Sequence, residues 1–257
     1  MKLKRIDETN RYRFESLEGE SGSREFITNE EVRTFFLHKG LLFVDMYSKR
    51  GSEKYTLFAG EGFIAGPGAE YRLSANRAFF AVQSSSQVKL LDPIIEIINK
   101  SDKKEEAPLY GHKFLKDIKK VKKPWGHELW ISWLRDYHVL KQIRMEKGNM
   151  SSLQLHKDKL ETNYLVEGEA DVIDGYPVDL RLSEDEMKNL IREVDWARYT
   201  ERKKPGMFWT SAPGIVHRVI SVIDYIAYET STSELDDVIR LSDQTGRISG
   251  RIDSEHL

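Results

Sequence analysis

GNMSSLQLHKDKLETNYLVEG, Gly148 to Gly168, is the stretch from which the rest of the chain can be read. In a strand alternate residues face one side, so Gln154 and His156 point into the same cavity. Glu161 follows beyond the short turn KDK and can return to that cavity on the next strand. A fourth candidate, His217, lies in GMFWTSAPGIVHRV (Gly206 to Val219), where a Pro-Gly turn aims it inward from another hairpin. Two imidazoles, a carboxylate and an amide oxygen form a borderline-hard ligand set suited to one Zn, Mn, Fe, Co or Ni ion. With positions left open to solvent, such a site is catalytic rather than purely structural. Either histidine alone would read as an ordinary barrel residue; the combination at this spacing points to metal.

Around this stretch the sequence is mainly β. TFFLHKGLLFVD, YTLFAGEGFIAGPGAEYRL and AFFAVQSSS in the first half, and ELWISWL, YHVLKQIRM, EADVID, MFWTS, HRVISV and YIAYETS in the second, are short apolar runs broken by Gly and Pro. That rhythm reads as antiparallel sheet folded on itself. Residues 99–123 are dense in charge and poor in large apolar groups, and read as a linker between an N-terminal domain, 1–98, and a C-terminal one, 124–257. A solvated helix on the flank of a single domain is the alternative. Ser183 with Glu186 forms a capping box, and Met187, Leu190, Ile191 and Val194 recur at helical spacing, which predicts one amphipathic helix over 183–197. The tail from Ser233 is polar and is expected to wrap the outside of the sheet.

The two halves repeat. A shift of 146 residues lays Gly60 on Gly206, Phe63 on Trp209, Pro67-Gly68 on Pro213-Gly214, Arg72 on Arg218, Ala81 on Ala227 and Ser85 on Ser231. In that register His217 falls on Tyr71. With Gly40 laid on Gly168, a shift of 128, Gln154, His156 and Glu161 fall on Phe26, Thr28 and Arg33. Arg is a fixed cation and no ligand, so the second half is the functional one and the first is expected to lack a metal.

Composition narrows the function classes. A formal net charge of −2 gives no reason to expect binding to nucleic acid or a membrane surface. Cysteine is absent, so disulfides and thiolate ligands are excluded. MKLKRIDETN has no apolar leader core, and the cytoplasm is the expected compartment. His38, His112, His127, His138 and His256 have no ligand-like context, and Trp125, Trp130, Trp133 and Trp209 read as core packing.

At these residues the chain resembles the cupin superfamily, whose two motifs are matched by Gly148, Gln154, His156, Glu161 and Gly168, and by Gly206, Gly214 and His217. Gln154 replaces the first motif's first histidine. In the second motif the proline arrives one residue late, at Pro213, and Ser221 stands for the closing asparagine. More narrowly, KPWGHELW (Lys123 to Trp130), SLQLHKDKLE (Ser152 to Glu161) and ETSTSELDDVIRLSDQTGR (Glu229 to Arg247) look like the type II mannose-6-phosphate isomerase group, in which Gln also holds that first position. This covers about residues 121–247. The resemblance implies tandem jelly-roll (double-stranded β-helix) barrels with a few helices, and one divalent metal, usually zinc. It also implies interconversion of mannose 6-phosphate and fructose 6-phosphate. Lys159 stands where the group's motif carries a basic residue, and Arg218, beside His217, is a candidate for stabilising an oxyanion or binding phosphate. Glu128 and Glu229 are the carboxylates within the family-like segments. A cupin dioxygenase or epimerase and a non-catalytic sugar-binding bicupin are the alternative readings. The expected partner is a small sugar phosphate, and a homodimer is expected from how cupins pair.

Overall fold

The structure is a computed structural model that describes residues 1–48, 51–88, 94–98, 104–108 and 111–252. It is mainly β, as expected. The chain divides into two compact units, Met1–Lys119 with Trp130–Leu140, and Lys120–Leu129 with Lys141–Leu257.

The first unit contains β1 (Lys2–Glu8), β2 (Arg13–Gly19), β3 (Gly22–Ile27), β4 (Glu31–Lys39), β5 (Leu41–Ser48), β6 (Gly51–Phe58), β7 (Gly62–Ala65), β8 (Glu70–Ala75), β9 (Phe79–Gln87), β10 (Ile94–Ile98), β11 (Lys104–Pro108) and β12 (His112–Leu115). Six of these form a sheet in the order β1-β2-β9-β4-β7-β12, four form a second sheet in the order β3-β8-β5-β6, and β10 and β11 make a separate hairpin. Alternation decides what each strand buries. From β4, Phe35 and Leu37 join Leu17, Phe63, Tyr71, Leu73 and Ala81 in the core between the two sheets. Val32, on the other face of β4, packs with Ile64, Leu134 and Tyr137. The stretch 99–123, expected as a linker, carries strands. In β12, Phe114 lies against the first core and pairs with Phe63 of β7, so its few apolar residues suffice to anchor it to the sheet.

Three strands, β13 (Lys119–Lys123), β14 (Gly126–Trp133) and β15 (Val139–Met145), are divided between the units, and the second unit continues through β16 (Leu153–His156), β17 (Glu161–Pro177), α1 (Glu184–Leu190), β18 (Thr200–Lys203), β19 (Phe208–Ser211), β20 (Ile215–Ser231) and β21 (Val238–Ser242). Its spine is the antiparallel pair β17 and β20, each of 17 residues, with Glu161 opposite Ser231 at one end and Pro177 opposite Ile215 at the other. The predicted helix starts at its capping box but ends early. α1 stops at Leu190, a short 3-10 turn follows, Val194 becomes extended, and Asp195 caps a second short turn through Ala197 N–H. Met187 and Ile191 pack on Leu153, Leu155 and Val216. These three alternate with Gln154, His156 and His217, so the helix covers the back of the strands whose other face carries the ligand candidates. The polar tail is not mere wrapping, since β21 pairs with β16.

The repeat read from the sequence is present in the strand registers. Phe26 pairs with Tyr71 as Gln154 pairs with His217. Arg33 lies opposite Ala65 on one side and Ser85 on the other, as Glu161 lies opposite Ser211 and Ser231. Gly40 and Gly168 both have positive φ. A Cβ would come within 2.5 Å of the Ala78 carbonyl oxygen at Gly40, and within 2.1 Å of the Asp224 one at Gly168. Both therefore mark the same close strand crossing, which tolerates no side chain.

Candidate metal centre

The second unit brings Gln154, His156, Glu161 and His217 together. Gln154 and His156 sit on β16, Glu161 opens β17 and His217 lies near the start of β20. His156, Glu161 and His217 are all buried, and one potential ligand atom from each falls within 4.8 Å of the others. The glutamate reaches both imidazoles, Oε2 lying 3.7 Å from His156 Nε2 and Oε1 lying 3.5 Å from His217 Nε2. Ligand atoms ~2.0–2.2 Å from a common ion stand about 3–3.6 Å apart, so these separations are close to those of a coordination shell. The two rings stack with centroids 5.4 Å apart.

The outer hydrogen bonds decide which ring nitrogen faces inward. His156 Nδ1 lies 2.7 Å from Asp237 Oδ1. Burial opposes the charge on Asp237, but its bond to His156, followed by the Asp158 and Lys159 amides, outweighs this and lowers its pKa. A carboxylate only accepts, so His156 Nδ1 carries the proton. His217 Nδ1 lies 3.1 Å from the Ile215 carbonyl oxygen and must likewise donate. Burial lowers the pKa of His217 and keeps that ring neutral. The His217 Nε2 lone pair therefore points at the Glu161 carboxylate, and His156 Nε2, buried without a hydrogen-bond partner, faces the same carboxylate. An acceptor lone pair facing a carboxylate is unfavourable unless a cation lies between them, and outer-shell anchoring of this kind is what orients metal-ligating histidines. The donor set thus fits a divalent ion. Gln154 stands beside it, with Nε2 3.3 Å from His217 Nε2 and Oε1 accepting from Ser152 Oγ.

Lys159 also enters the cluster. Its ammonium, 4% exposed, donates to Glu161 Oε2 and, at 2.8 Å, to Glu229 Oε1. Burial works against its charge, but the facing carboxylates of Glu161 and Glu229 outweigh that and raise its pKa. Burial likewise opposes ionisation of Glu161, and the Lys159 ammonium outweighs it and holds its carboxyl well below the usual range. From Glu229 alternating charges continue to Lys141 at 3.7 Å, from there to Glu128 at 3.7 Å, and on to Lys123 at 4.0 Å. Removing one member of such a buried chain strands its neighbour's charge.

Arg218 is not brought in. It follows His217 directly, so strand alternation sends it to the other face, where Nε and Nη2 donate to the carbonyl oxygens of Ser151 and Ser242, each at 3.0 Å. The sequence does not reveal Asp237, which lies between Glu229 and Arg247 but has no spacing rule tying it to a histidine 81 positions away. Nor does it reveal Asp174, which accepts from Ser211 Oγ at 2.7 Å and whose pKa burial raises. Of the other histidines, His138 is wholly buried with its ring nitrogens on Thr34 Oγ1 and Ser86 Oγ, both at 3.0 Å. Trp125 and Trp209 pack in the second core.

No family model matches the chain, and no curated relative does. Solved structures do match. An oxalate decarboxylase of Lactobacillus farciminis, in complex with formate, superposes with a TM-score of 0.62 at 14% identity, covering 91% of this chain and 80% of that one. Procruciferin, an 11S globulin from Brassica napus, gives 0.60 at 11% identity, with 93% and 79% covered. The oxalate decarboxylase of Bacillus subtilis, described with Mn(II) centres, gives 0.57 at 9% identity, with 90% and 71% covered. At these identities the likeness is one of fold, the tandem cupin jelly roll, on which both an oxalate decarboxylase and an 11S globulin are built. Among the described residues no helix is long and apolar enough to cross a membrane.

Proposed function

We propose that the second unit is a metal-dependent sugar-phosphate isomerase of the mannose-6-phosphate isomerase type. The observation that carries this is the pair of imidazoles, each anchored at Nδ1, whose Nε2 atoms converge on Glu161 beside Gln154. Gln154 in the first ligand position is the feature that separates this reading from other cupins. In this reading His156, Glu161 and His217, joined by Gln154 once its amide turns Oε1 from Ser152 toward them, would hold one divalent ion, zinc, which would polarise the substrate's C1 or C2 oxygen.

The remaining work falls to the chain's own groups. Aldose-to-ketose conversion removes a proton from C2 and returns one to C1, while a hydroxyl proton passes from the C2 oxygen to the C1 oxygen. Glu229 is the carboxylate for the carbon proton, since it lies one lysine away from Glu161 and on the same buried face. Lys159 fixes both carboxylates and places positive charge next to developing oxyanion character. Arg218, tied to two carbonyls on the other face, has no part in this scheme.

The test is metal analysis of the purified protein, followed by NMR detection of deuterium incorporation at C2 across hexose phosphates. Exchange with mannose 6-phosphate, lost in Glu229→Gln while metal content is kept, is the expected result. Absence of exchange with every hexose phosphate in metal-replete protein removes the isomerase reading. Oxygen uptake that follows Fe(II) would assign the pocket to a dioxygenase instead.

A further inference from the structure

The ligand candidates and the Lys159 chain do not exhaust the polar groups on the inner face of the second barrel. Val172 of β17 packs with Trp209 and Tyr225, whereas Ile173 belongs to the cluster under α1 on the opposite face. Alternation therefore turns Asp174 back to the inner face. There the register slips. Ile173 pairs with Arg218 and Tyr176 with Val216, so Asp174 and Gly175 together oppose the single residue His217. Gly175, with φ 96°, absorbs the extra residue of this bulge. The bulge sets the Asp174 carboxylate beside His217, where Ser211 Oγ donates to Oδ1 at 2.7 Å.

The same place in the first barrel is apolar. A shift of 128 lays Asp174 on Met46, which pairs directly with Tyr71 in the closed core, and a shift of 146 lays Ser211 on Ala65, a member of that core. The frame is thus built without either polar group, and both occur in the barrel that carries the ligand set. Pairing also fixes the side on which they stand. Glu161 lies between Ser211 on β19 and Ser231 on β20, and Glu229 is two residues before Ser231. Asp174, tied to Ser211, is on the flank away from Glu229. His156, Glu161 and His217 are buried, but Asp174 is half-buried and so nearer to solvent.

The chemistry of this carboxylate defines what it takes. Its two oxygens can accept about four hydrogen bonds, and among the described residues Ser211 is the one side chain that donates to it. Burial opposes its charge, and Ser211 offsets only part of that. A further donor from a neutral hydroxyl stabilises it, whereas an anionic group there meets repulsion from both Asp174 and Glu161. We propose, resting on the isomerase reading of this site, that Asp174 is a specificity-determining residue that accepts a hydrogen bond from the C3 or C4 hydroxyl of the sugar while the reacting carbons lie toward Glu229. Ser211 is the positioning residue that aims it.

The experiment is calorimetric titration of the metal-replete full-length chain with mannose 6-phosphate and its 3-deoxy and 4-deoxy analogues, alongside deuterium exchange at C2. In wild type one analogue should bind about tenfold more weakly than mannose 6-phosphate, the loss expected for a hydrogen bond to a charged group. Asp174→Ala should weaken mannose 6-phosphate by the same factor and leave that analogue unchanged. Asp174→Asn keeps the shape and the bond from Ser211, so it folds, and with its charge gone should weaken mannose 6-phosphate about threefold. Metal content should match wild type in both variants. Equal affinity of wild type for all three ligands, or a deoxy penalty unchanged in the variants, would overturn the assignment. So would loss of metal from Asp174→Asn, which would make Asp174 a support of the metal centre. Binding that depends on Asp174 without exchange at C2 upholds the assignment and removes the isomerase reading. Exchange that neither variant alters in KM or kcat does the reverse, and no binding of any of the three removes both.

Discussion

Set side by side, the interiors of the two units have the same plan with the charges exchanged. Where the second places Lys159 next to Glu161, the first places Glu31 next to Arg33. Where the second has Glu229 facing Lys141, the first has Gln83 bonded to Glu15. His217 is replaced by Tyr71, whose hydroxyl accepts from Arg33, and Gln154 by Phe26, which stacks on Tyr71 with ring centroids 5.2 Å apart. The Arg33 guanidinium carbon lies 5.6 Å from the Phe26 ring centroid. The first barrel therefore carries its central cation covalently, on a side chain that cannot be deprotonated or chelated. The second presents two imidazole nitrogens and a carboxylate, a set that could take its cation from solution. One frame thus supports either solution, and which of them is used rests on a handful of inward-facing residues.

The largest expected difference comes from removing the fixed cation. Arg33→Met leaves Tyr71 without its buried partner and Glu31 with only Arg13 and Gln87, and should lower unfolding free energy by about 3 kcal/mol in urea denaturation, the low end for broken buried ion pairs, whether or not metal is present. A loss that vanishes when metal is added would break the contrast. Chelation is expected to act only on the second unit. If metal binds at 100 times below its working concentration, EDTA should remove roughly 2.7 kcal/mol of stability from wild type, and none from a His156→Ala, His217→Ala double variant. The same shift in wild type and double variant would place the metal elsewhere.

A smaller effect is expected from pH. His138 lies behind Arg33's strand, bonded to Thr34, and burial pushes its pKa from 6.5 to about 3. At the equivalent place the second unit has Thr162 bonded to Thr210 at 2.9 Å, a pair that does not titrate. Between the two pKa values the unfolded chain binds a proton that the folded one refuses, so this contribution to stability is fully present above 6.5 and is lost as pH falls toward 3. At about pH 5.5 the loss should be near 1.4 kcal/mol. Comparison of wild type with His138→Gln at about pH 7.5 and pH 5.5 measures it, and equal pH slopes in the two proteins would count against a neutral His138. The smallest effect is at α1, which among the described residues belongs to the second unit alone. Ser183→Ala removes its cap and should cost about 1 kcal/mol. A thermal scan showing no shift would mean that α1 adds nothing to the sheet it covers.

The sequence shows much of this plan because the plan is periodic. Gln154 and His156 are legible as neighbours on one strand face, and the Gly40/Gly168 and Pro-Gly registers expose the duplication before any coordinate is known. What spacing cannot show is contact across the barrel. Asp237 sets the tautomer of His156 from 81 residues away, and the salt-bridge chain through Lys141 and Glu128 joins strands distant in sequence. Proximity along the chain also misleads. Arg218 adjoins His217 yet faces away from it, a consequence of the same alternation that brings Gln154 and His156 together. The early end of α1 was illegible for a different reason, since apolar spacing continues through Val194 while the backbone there turns extended.

The matched crossings at Gly40 and Gly168 have a bearing on the chain's engineering. The two halves share a backbone so closely that this contact recurs in both, while the residues facing inward differ. The first barrel can therefore serve as a template, already folded, into which Gln, His, Glu and His are written at Phe26, Thr28, Arg33 and Tyr71, with Lys at Glu31 to keep the charge balanced. The second barrel supplies the blueprint in the same molecule.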